Sequence, residues 1–378
     1  MRDSLLLLMT PSMSLEKWDS IGQLSRELNY YEELSKRSKL NLIIFSYGRN
    51  DLKYNLTSAI VLTMPSWIPK NIPYKLQNWI YIVSSLFIYR RFFEKVVICK
   101  TNQFTAADFG LLLKFIYKIP LVIRMGFYYS HFQPINNIRK FKERISFKLA
   151  DKILTTSSEA TDYICEKYSI APTKIITICN SINLDRFKPT HLEKEWDIIF
   201  VAKLESQKNI GLVAEVFKEI KGKILIIGMG SLDHLIKDAV KINSGITWKE
   251  RVDNIDLPNY YNRSKIFVLL SDHEGNPKVL LEAMACGLTC VVTNVPGIRE
   301  CIKHEANGII VTKKKEEIVN TLYGLLNEPS KMDSIGKKAI EWIKEKCDYS
   351  KNIDLEIELY NQIPDFNSTV NKLEHHSQ

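Results

Sequence analysis

Several features that would place a protein in a membrane or fibrous class are scarce in this sequence of 378 residues. The longest apolar stretch, residues 79–88, contains two serines and is too short to span a bilayer. The opening MRDSLLLLMTPS has an apolar run too short for a secretory signal, with Asp3 where a basic flank is expected. No internal repeat or long low-complexity tract occurs. We therefore expect a cytoplasmic globular protein whose first apolar run forms a strand.

Cysteine is present without the spacing of a metal or disulfide framework. The seven cysteines are odd in number, none has C-x-x-C spacing, and no histidine cluster lies beside them. We interpret most of them as small buried hydrophobic residues in a reducing compartment, without metal or disulfide use. The chain also lacks G-x-G-x-x-G near its first strand, which argues against a dinucleotide-dependent oxidoreductase.

Length and patterning predict two α/β domains. A chain of 378 residues exceeds the size at which a single core usually stops growing. Apolar strand-like runs alternate with helical patterns nearly from end to end, which indicates parallel sheets. The alternation is interrupted at residues 185–195 by Phe187, Pro189 and a polar run. The domain boundary is expected there.

The most informative segment spans residues 271–287, SDHEGNPKVLLEAMACG. It follows an apolar run at residues 266–270 whose length and branched side chains suit a buried parallel strand. A turn containing Gly275 comes next, and then a segment with helical spacing. Pro277 suits the first helical position and Gly287 suits a C-terminal cap. The sequence therefore predicts a strand, a glycine turn and the N-terminus of a helix.

A phosphorylated ligand rich in hydroxyl groups fits this segment. A helix N-terminus binds phosphate through backbone N–H groups that have no partner inside the helix. Glu274 in the turn and Glu282 in the helix stand eight residues apart. Carboxylates repel phosphate but accept hydrogen bonds from hydroxyls. Together these parts suggest a nucleotide sugar.

The E-x7-E arrangement, followed by EAMACG, resembles the signature of GT-B glycosyltransferases of the large retaining group called family 4. Residues 180–189, NSINLDRFKP, resemble the hinge phrase of that family. Residues 198–204 and 224–230 resemble the first two strands of its second domain, and residues 291–311 resemble the strand and loop after the signature helix. The resemblance is close over about half of the chain, residues 175–345, and looser before it.

This resemblance implies the GT-B fold, an α/β architecture of two Rossmann-like domains that face each other across a cleft. We expect an acceptor-binding domain at residues 1–185 and a nucleotide-sugar-binding domain at residues 186–345. A helix within residues 346–364 would return to the first domain, and residues 365–378 would form a polar tail. The implied reaction is retaining transfer from a UDP- or GDP-sugar to a hydroxyl of a glycan or lipid-linked acceptor, in the assembly of surface polysaccharide, lipopolysaccharide or glycolipid.

The resemblance assigns the central roles to two lysines and two glutamates. Lys203 and Lys208 would neutralise the donor diphosphate. The family usually has arginine at the first of these positions, so the charge is kept and bidentate geometry is lost. Glu282 would bind the ribose hydroxyls and Glu274 the transferred sugar. Arg124, which follows an apolar strand of the first domain, is either a residue near the donor phosphate or the acceptor or only a structural partner.

Further contacts are expected around these residues. On the donor side they are Gly22, Gly228, Gly230, Arg251, Val252, Asn276, Pro277, Lys278, Val279 and Leu280. The two glycines at 228 and 230 could equally form a tight turn after a strand. On the acceptor side the candidates are Asn102, Tyr128 and Tyr129, because Met125 stands where many relatives have a histidine.

The implied transfer develops charge on the leaving diphosphate and on an oxocarbenium-like sugar. The two lysines and the N–H groups before Val279 would stabilise the diphosphate as preorganised donors. The chain contains no D-x-D motif, and cationic side chains could take over the usual work of Mg²⁺. We therefore predict no cofactor and no metal, with the leaving phosphate taking the acceptor proton.

The net charge of +9 is unevenly placed. Residues 1–180 hold 25 Lys and Arg against 14 Asp and Glu, whereas residues 181–378 hold 27 against 29. Residues 138–152 place four apolar side chains at helical spacing among six basic residues, and residues 79–93 are rich in aromatics. This fits either a solvated surface helix or peripheral contact with anionic lipid, where each basic residue contributes about 1 kcal/mol. No nucleic-acid-binding module accompanies the charge.

Two rival functions stay open. A nucleotide-sugar epimerase uses a similar two-domain fold, but it needs distinct acid and base residues and leaves the basic first domain unexplained. A catalytically inactive partner subunit that binds a nucleotide sugar is favoured by the missing histidine at Met125. The identity of the sugar, the nucleotide base and the acceptor does not follow from the residues.

Overall fold

The computed structural model describes residues 3–126 and 136–366, and the chain divides into two compact units. The first unit comprises Met1–Ile178 and Ile353–Gln378, and the second comprises Cys179–Asn352.

The division near the middle of the chain lies after Ile178 rather than after residue 185. The residues that follow are held by the second unit, because the Ile182 N–H donates to the Cys347 carbonyl at 2.8 Å. The Asn180 N–H likewise donates to Asn276 Oδ1 at 2.8 Å. The hinge-like phrase therefore belongs to the second unit.

Seven parallel strands form the sheet of the first unit. They are β1 Ser4–Leu8, β2 Asn41–Phe45, β3 Ala59–Leu62, β4 Val96–Thr101, β5 Leu121–Met125, β6 Lys152–Thr155 and β7 Ile175–Thr177. Their order is β3-β2-β1-β4-β5-β6-β7. Strands covered on both faces are apolar from end to end, as in β1, where Leu5 and Leu8 are 1% exposed. The first apolar run of the sequence is thus a central strand, as predicted.

Seven α-helices of the described residues connect these strands. They are α1 Leu15–Ser20, α2 Leu24–Ser38, α3 Tyr74–Ile88, α4 Arg90–Phe93, α5 Ala107–Tyr117, α6 Asn137–Leu149 and α7 Ser158–Tyr168. Side-chain caps fix several of their starts: Ser14 accepts from the Lys17 N–H at 2.9 Å and Asn136 from the Arg139 N–H at 2.9 Å.

The second unit has a parallel sheet of six strands. They are β8 Trp196–Val201, β9 Ile224–Ile227, β10 Ile246–Lys249, β11 Ser264–Leu269, β12 Thr289–Thr293 and β13 Ile309–Val311, in the order β10-β9-β8-β11-β12-β13. Its helices are α8 Ile210–Glu219, α9 Asp233–Ile242, α10 Leu257–Asn262, α11 Lys278–Ala285, α12 Lys315–Leu326 and α13 Pro329–Lys346. Of the helices in the described ranges, none combines the length and the apolarity needed to cross a membrane.

The strand order of the second sheet reverses between β8 and β11. From β8 the chain continues outward through β9 and β10, and from β11 it continues outward through β12 and β13 on the other side. Open α/β sheets bind ligands outside the carboxyl ends of their strands at such a switch point. The predicted lysines follow β8 and the predicted Glu274 follows β11, so both groups come from the two strands at the switch point.

Helix α14, Tyr349–Asn361, lies within the range expected for a helix near the C-terminus, and its residues from 353 onward belong to the first unit. The predicted tail does not begin at residue 365, because Phe366 is only 2% exposed and packs on Tyr360 with 5.8 Å between ring centroids. The remaining residues of that tail lie outside the described part of the chain.

One pair of cysteines departs from the interpretation given to most of the seven. Cys179 and Cys347 are joined, with 2.18 Å between their sulfurs and 5.8 Å between their Cα atoms. The two residues are 168 positions apart in sequence, and an isolated parallel bridge between Ile182 and Asp348 brings their segments together. Spacing along the chain gave no signal for this contact. The other five are free, and four of them are buried as expected: Cys99, Cys286, Cys290 and Cys301.

Candidate functional site

The segment after β11 folds into a turn followed by α11. The helix begins at Lys278, and Pro277 lies directly before it with an extended backbone rather than at the first helical position. The Leu280 N–H is the first to donate within the helix, to the Pro277 carbonyl at 3.0 Å. Gly287 follows the helix with φ +79°, the left-handed conformation that favours glycine. The α11 N-terminus therefore offers the positive end of a helix dipole.

A buried ion pair lies in the turn before this helix. The Lys208 ammonium contacts Glu274 Oε1, which also accepts a hydrogen bond from Ser271 Oγ at 2.6 Å. The exposed fraction of the side chain is 16% for Lys208 and 5% for Glu274. A carboxylate with so little access to water requires such partners, because an uncompensated buried charge is costly. Ser271 is the first residue of the segment 271–287 but was not predicted as a site residue.

Hydrogen bonds between two turns bring Lys208 to Glu274. Lys208 ends the short 3-10 turn Ser206–Lys208 that follows β8. The Asp272 N–H donates to the Gln207 carbonyl at 2.9 Å, and Gln207 Nε2 donates to the His273 carbonyl at 2.9 Å. The loop after β8 and the loop after β11 are thereby fastened together at the switch point of the sheet.

Lys203, the other predicted phosphate ligand, has a different environment. Its side chain is 74% exposed, and its ammonium lies 3.1 Å from Glu205 Oε1. Ser231 Oγ donates to Glu205 Oε2 at 2.6 Å. These hydrogen bonds, from Ser231 first and Lys203 second, hold the pKa of Glu205 below its usual value. One lysine is therefore an exposed surface cation, and the other is buried against a carboxylate.

Close backbone packing explains Gly228 and Gly230. Gly228 has φ +144°, and a Cβ there would lie 1.8 Å from the Ala202 carbonyl oxygen. A Cβ on Gly230 would lie 2.3 Å from the Leu204 carbonyl oxygen. The two glycines let the loop after β9 approach the loop after β8. This structural role accounts for both of them without a ligand.

Glu282 is fully buried on α11. Its Oε1 accepts a hydrogen bond from Asn254 Nδ2 at 2.9 Å, and its Oε2 accepts one from the Tyr261 hydroxyl at 3.3 Å. The pKa of Tyr261 is raised well above its usual value, mainly by burial and to a smaller extent by the negative charge of Glu282. Tyr261 therefore remains a hydrogen-bond donor at neutral pH.

Asn254 is in turn held by Arg186. The Arg186 Nη2 donates to the Asn254 carbonyl at 2.9 Å and to its Oδ1 at 3.1 Å. The amide of Asn254 is thereby oriented with its nitrogen toward Glu282. Sequence reasoning missed Asn254 and Tyr261, which belong to no motif, whereas Arg186 stood in the hinge-like phrase NSINLDRFKP.

Two neighbours shape the turn that contains Asn276. The Asn276 carbonyl accepts from Asn180 Nδ2 at 2.6 Å, in addition to the contact of its side chain with the Asn180 N–H. Gly297 has φ +74°, and a Cβ there would lie 2.0 Å from the Gly275 carbonyl oxygen. The conformation of the turn therefore depends on residues from distant parts of the second unit.

The residues predicted near the nucleotide base lie after β10. Arg251 pairs with Asp253 at 2.8 Å between Nη2 and Oδ1, and its side chain is 42% exposed. Val252 is half-buried against the hydrophobic core. The backbone of this segment is thus anchored at the edge of the core.

The candidates of the first unit occupy its strand ends. Arg124 in β5 donates from Nη1 to the Asn102 carbonyl at 3.3 Å, and Asn102 Nδ2 donates to the Tyr31 hydroxyl at 3.0 Å. Gly22 lies between α1 and α2 with φ +68°. Two candidates lie outside the described residues: Tyr128 and Tyr129.

A second buried ion pair, which was not predicted, joins β4 to α14. Lys100 and Glu356 are in contact, and each side chain is 1% exposed. Glu356 also accepts hydrogen bonds from the Tyr30 hydroxyl at 2.6 Å and from the Tyr360 hydroxyl. Burial alone would raise the pKa of Glu356, but Lys100 and the hydroxyl donors outweigh it and hold that pKa below its usual value. Burial lowers the pKa of Lys100.

Within residues 3–126 and 136–366, no three His, Cys, Asp or Glu side chains lie together in a way that could hold a metal ion. Independence of metal rests on the sequence argument and stays a prediction.

Known proteins share the fold of the two units. Sucrose-phosphate synthase from Thermosynechococcus elongatus superposes with a TM-score of 0.79 at 16% identity, covering 95% of this chain and 98% of that one. The Anabaena protein HepE, in complex with UDP and glucose, superposes with a TM-score of 0.73 at 14% identity, covering 94% and 98%. Two Rossmann-like α/β units of this kind define the GT-B class of glycosyltransferases, and the predicted fold is confirmed.

Family comparisons give the more particular assignment. The family described as Glycosyltransferase Family 4 matches residues 29–186, and the one described as Glycosyl transferases group 1 matches residues 181–342. The chain belongs to these group 1, family 4 glycosyltransferases, as its signature indicated.

A curated relative from Escherichia coli is named UDP-Gal:alpha-D-GlcNAc-diphosphoundecaprenol alpha-1,3-galactosyltransferase. It is 25% identical to this chain over 245 residues, which cover 58% of this chain and 63% of that protein. The chain spans between 45% and 63% of the length of eight curated relatives that it matches.

Proposed function

We propose that the protein transfers a sugar, with retention of configuration, from a UDP- or GDP-sugar to a hydroxyl of a glycan or lipid-linked acceptor. The pathway would be assembly of cell-surface polysaccharide, lipopolysaccharide or glycolipid. One observation carries the proposal: the buried pair of Lys208 and Glu274, next to the start of α11 and at the switch point of the second sheet. A cation and a helix N-terminus suit a diphosphate, and carboxylates suit sugar hydroxyls.

The diphosphate would be held by Lys208 and by the backbone N–H groups at the start of α11 that precede the Leu280 N–H. Lys208 already donates to Glu274, and an ammonium has three donors, so it can engage a phosphate oxygen while keeping that contact. The Lys203 ammonium has the same three donors, but its side chain is 74% exposed, so water and salt screen its charge. We assign it the smaller share of the charge stabilisation.

The ribose hydroxyls are assigned to Glu282, as the family resemblance implies. Its carboxylate is fully buried and accepts hydrogen bonds from Asn254 and Tyr261. Ribose binding would therefore require Asn254 or Tyr261 to share or lose its hydrogen bond to Glu282. Arg186 orients the Asn254 amide, which would have to move for the ribose to take its place.

Glu274 is assigned to hydroxyls of the transferred sugar rather than to nucleophilic attack. Glycosidases commonly use a pair of carboxylates as acid and nucleophile. Here Oε1 of Glu274 is engaged by Lys208 and Ser271. The bond from the anomeric carbon to phosphate would break as the bond to the acceptor oxygen forms on the same face. The acceptor proton would pass to the leaving phosphate.

A lipid-linked acceptor is supported by the E. coli relative, whose name describes a diphosphoundecaprenol acceptor and a UDP-sugar donor. The HepE complex adds UDP and glucose as ligands of a protein with this fold. The first unit would supply the acceptor site, with Arg124 and Asn102 as its described candidates.

The test is a donor screen with the purified full chain. UDP, GDP and their sugars are compared by thermal shift, since a ligand at 100 times its dissociation constant adds about 2.7 kcal/mol. The stabilising donor is then incubated with and without lipid-diphosphate acceptors, and the anomeric configuration of the product is read by NMR. We expect stabilisation by one nucleotide class and an α-linked product from an α-donor.

Other outcomes would change the assignment. Stabilisation by none of the nucleotides would contradict a donor site. Conversion of the donor sugar to its epimer without an acceptor would favour the epimerase alternative. Donor binding with neither slow hydrolysis nor transfer would favour the inactive partner subunit.

A further inference from the structure

The outward face of α3 is apolar. Its exposed residues include Leu76, Trp79, Val83 and Phe87, which are 49%, 58%, 48% and 79% exposed. Their spacing places them along one stripe of the helix. The opposite stripe contains the buried Asn78, Tyr81 and Ser85 and faces the sheet. A helix at a water-facing surface normally shows polar residues on its outer side. The outer side of α3 is instead an exposed hydrophobic patch, which is typical of an interaction site.

The helix is also fixed firmly enough to present that face. The Tyr81 ring stacks on Phe45 of β2 with 4.5 Å between centroids, and its hydroxyl donates to the Leu62 carbonyl at 3.0 Å. The inner side of α3 is thus committed to the core of the first unit. The outer stripe cannot be buried by rotating the helix.

Helix α6 likewise has apolar side chains on its exposed side. Ile138 and Phe141, part of the apolar spacing noted in the sequence, are 71% and 64% exposed. The buried positions of this helix are Glu143, Ser146 and Phe147. The apolar stripe therefore points outward here as well, among the basic residues of the helix.

Helices α3, α5 and α6 lie on the same side of the first unit. A groove of about 290 Å³ is lined by Trp79 of α3, Leu112 of α5 and Lys142 of α6. The Tyr117 hydroxyl at the end of α5 donates to the Leu86 carbonyl of α3 at 2.5 Å. Helix α5 adds two exposed apolar side chains of its own, Phe115 and Ile116. We call the outer faces of α3, α5 and α6 the apolar face.

The charge around the apolar face is basic. The three helices carry seven Lys and Arg against two Asp and Glu. One of the two acids, Asp108, pairs with Lys142 at 2.9 Å, and the other, Glu143, is buried. Among the described residues, Lys75, Lys140 and Arg144 form no ion pair. Exposed aromatic and aliphatic side chains flanked by lysine and arginine fit a bilayer interface with anionic headgroups.

We propose that the apolar face docks the protein on an anionic lipid bilayer, with Trp79 and Phe87 entering the interface and the basic residues of α6 contacting headgroups. A protein partner would need acidic groups to meet the same charge and is the competing occupant. This inference concerns a surface of the first unit and does not depend on the donor site.

Sedimentation of the full chain with vesicles tests the apolar contacts. Vesicles of phosphatidylglycerol and phosphatidylcholine in equal parts are compared with pure phosphatidylcholine, at low and high salt. The double variant Trp79→Ser/Phe87→Ser is expected to bind the anionic vesicles about 10- to 100-fold more weakly, because two apolar side chains leave the bilayer. The matched control is Met229→Ser/Ile242→Ser, which changes side chains of the second unit that are 55% and 65% exposed.

A second pair of double variants tests the contribution of the basic residues to vesicle binding. Lys140→Gln/Arg144→Gln is expected to weaken binding about 30-fold, since each basic residue near the surface contributes about 1 kcal/mol. Lys337→Gln/Lys338→Gln removes the same charge from α13 and is expected to bind like the unmodified protein. All four side chains are exposed, so circular dichroism melting should report an unchanged fold.

Three results would overturn the proposal. The first is that the unmodified chain does not bind anionic vesicles. The second is that each double variant binds them as tightly as its control does. The third is a change of oligomeric state in size-exclusion chromatography when Trp79 and Phe87 are replaced, which would show that a second copy covers the apolar face.

Discussion

Replacement of Lys208 by methionine is expected to weaken both folding and transfer. Methionine keeps most of the length of the side chain and removes the ammonium, so Glu274, 5% exposed, loses its counter-ion. Breaking a buried pair in this way costs about 3–5 kcal/mol. The Lys208 side chain is 16% exposed, so water can partly replace its ammonium as the partner of Glu274. We therefore expect a loss of stability of about 2–3 kcal/mol, somewhat less than for a fully buried pair.

The effect on the reaction has a separate origin. Removing one preorganised donor to developing negative charge lowers kcat by about 10²- to 10³-fold. The double variant Lys208→Met/Glu274→Gln separates the two effects, because it removes both charges. We expect most of the lost stability to return while transfer stays slow. Lys203→Met is the control, since its side chain is 74% exposed and its removal should change stability by less than about 0.5 kcal/mol.

Urea unfolding measures the stability, and release of the nucleoside diphosphate measures the turnover. Full donor affinity and turnover in Lys208→Met would refute the assignment of this lysine to the diphosphate. If the double variant is no more stable than Lys208→Met, the electrostatic explanation of the stability loss is wrong.

Further predictions concern other contacts of the two units. Asn254→Ala removes the amide that ribose would have to displace from the buried Glu282, so binding of the nucleotide sugar should become tighter, by up to about 1–3 kcal/mol in calorimetry; weaker binding would contradict the displacement of this amide by ribose. Lys100→Met should lower stability by about 3–5 kcal/mol, and the addition of Glu356→Leu should restore part of it, because the Tyr30 and Tyr360 hydroxyls then lose their acceptor. Since the folded pKa of Glu356 is lowered, its stabilisation is present above the unfolded pKa and lost as the pH falls, so acid unfolding should be steeper in the unmodified protein than in that double variant. Gly297→Ala should cost about 1–3 kcal/mol in thermal unfolding, because φ +74° is strained for alanine; an unchanged melt would contradict the close packing.

Local signals were enough to predict the elements around the site. The apolar run at residues 266–270 coincides with the end of β11, and Gly287 has the left-handed conformation expected of a helix end. These features depend on side-chain size, branching and backbone freedom within a few residues. Lys208 and Glu274 were identified by the family resemblance, and they lie in the loops that follow β8 and β11.

The contacts between these elements could not be predicted from spacing. Lys208 and Glu274 meet because two loops separated by 66 residues are hydrogen-bonded together. The full burial of Glu282 depends on Asn254 and Tyr261, which reach it from other elements. The Cys179–Cys347 pair likewise requires two segments to be brought side by side by the fold. Such tertiary packing leaves no periodic trace in the chain.

The most direct test of the donor site is the crystal structure of the protein with UDP or GDP bound. The account predicts that the diphosphate lies at the start of α11 within hydrogen-bonding distance of Lys208, with the ribose beside Glu282. A nucleotide bound at a different place, with Lys208 still engaged only by Glu274, would contradict it.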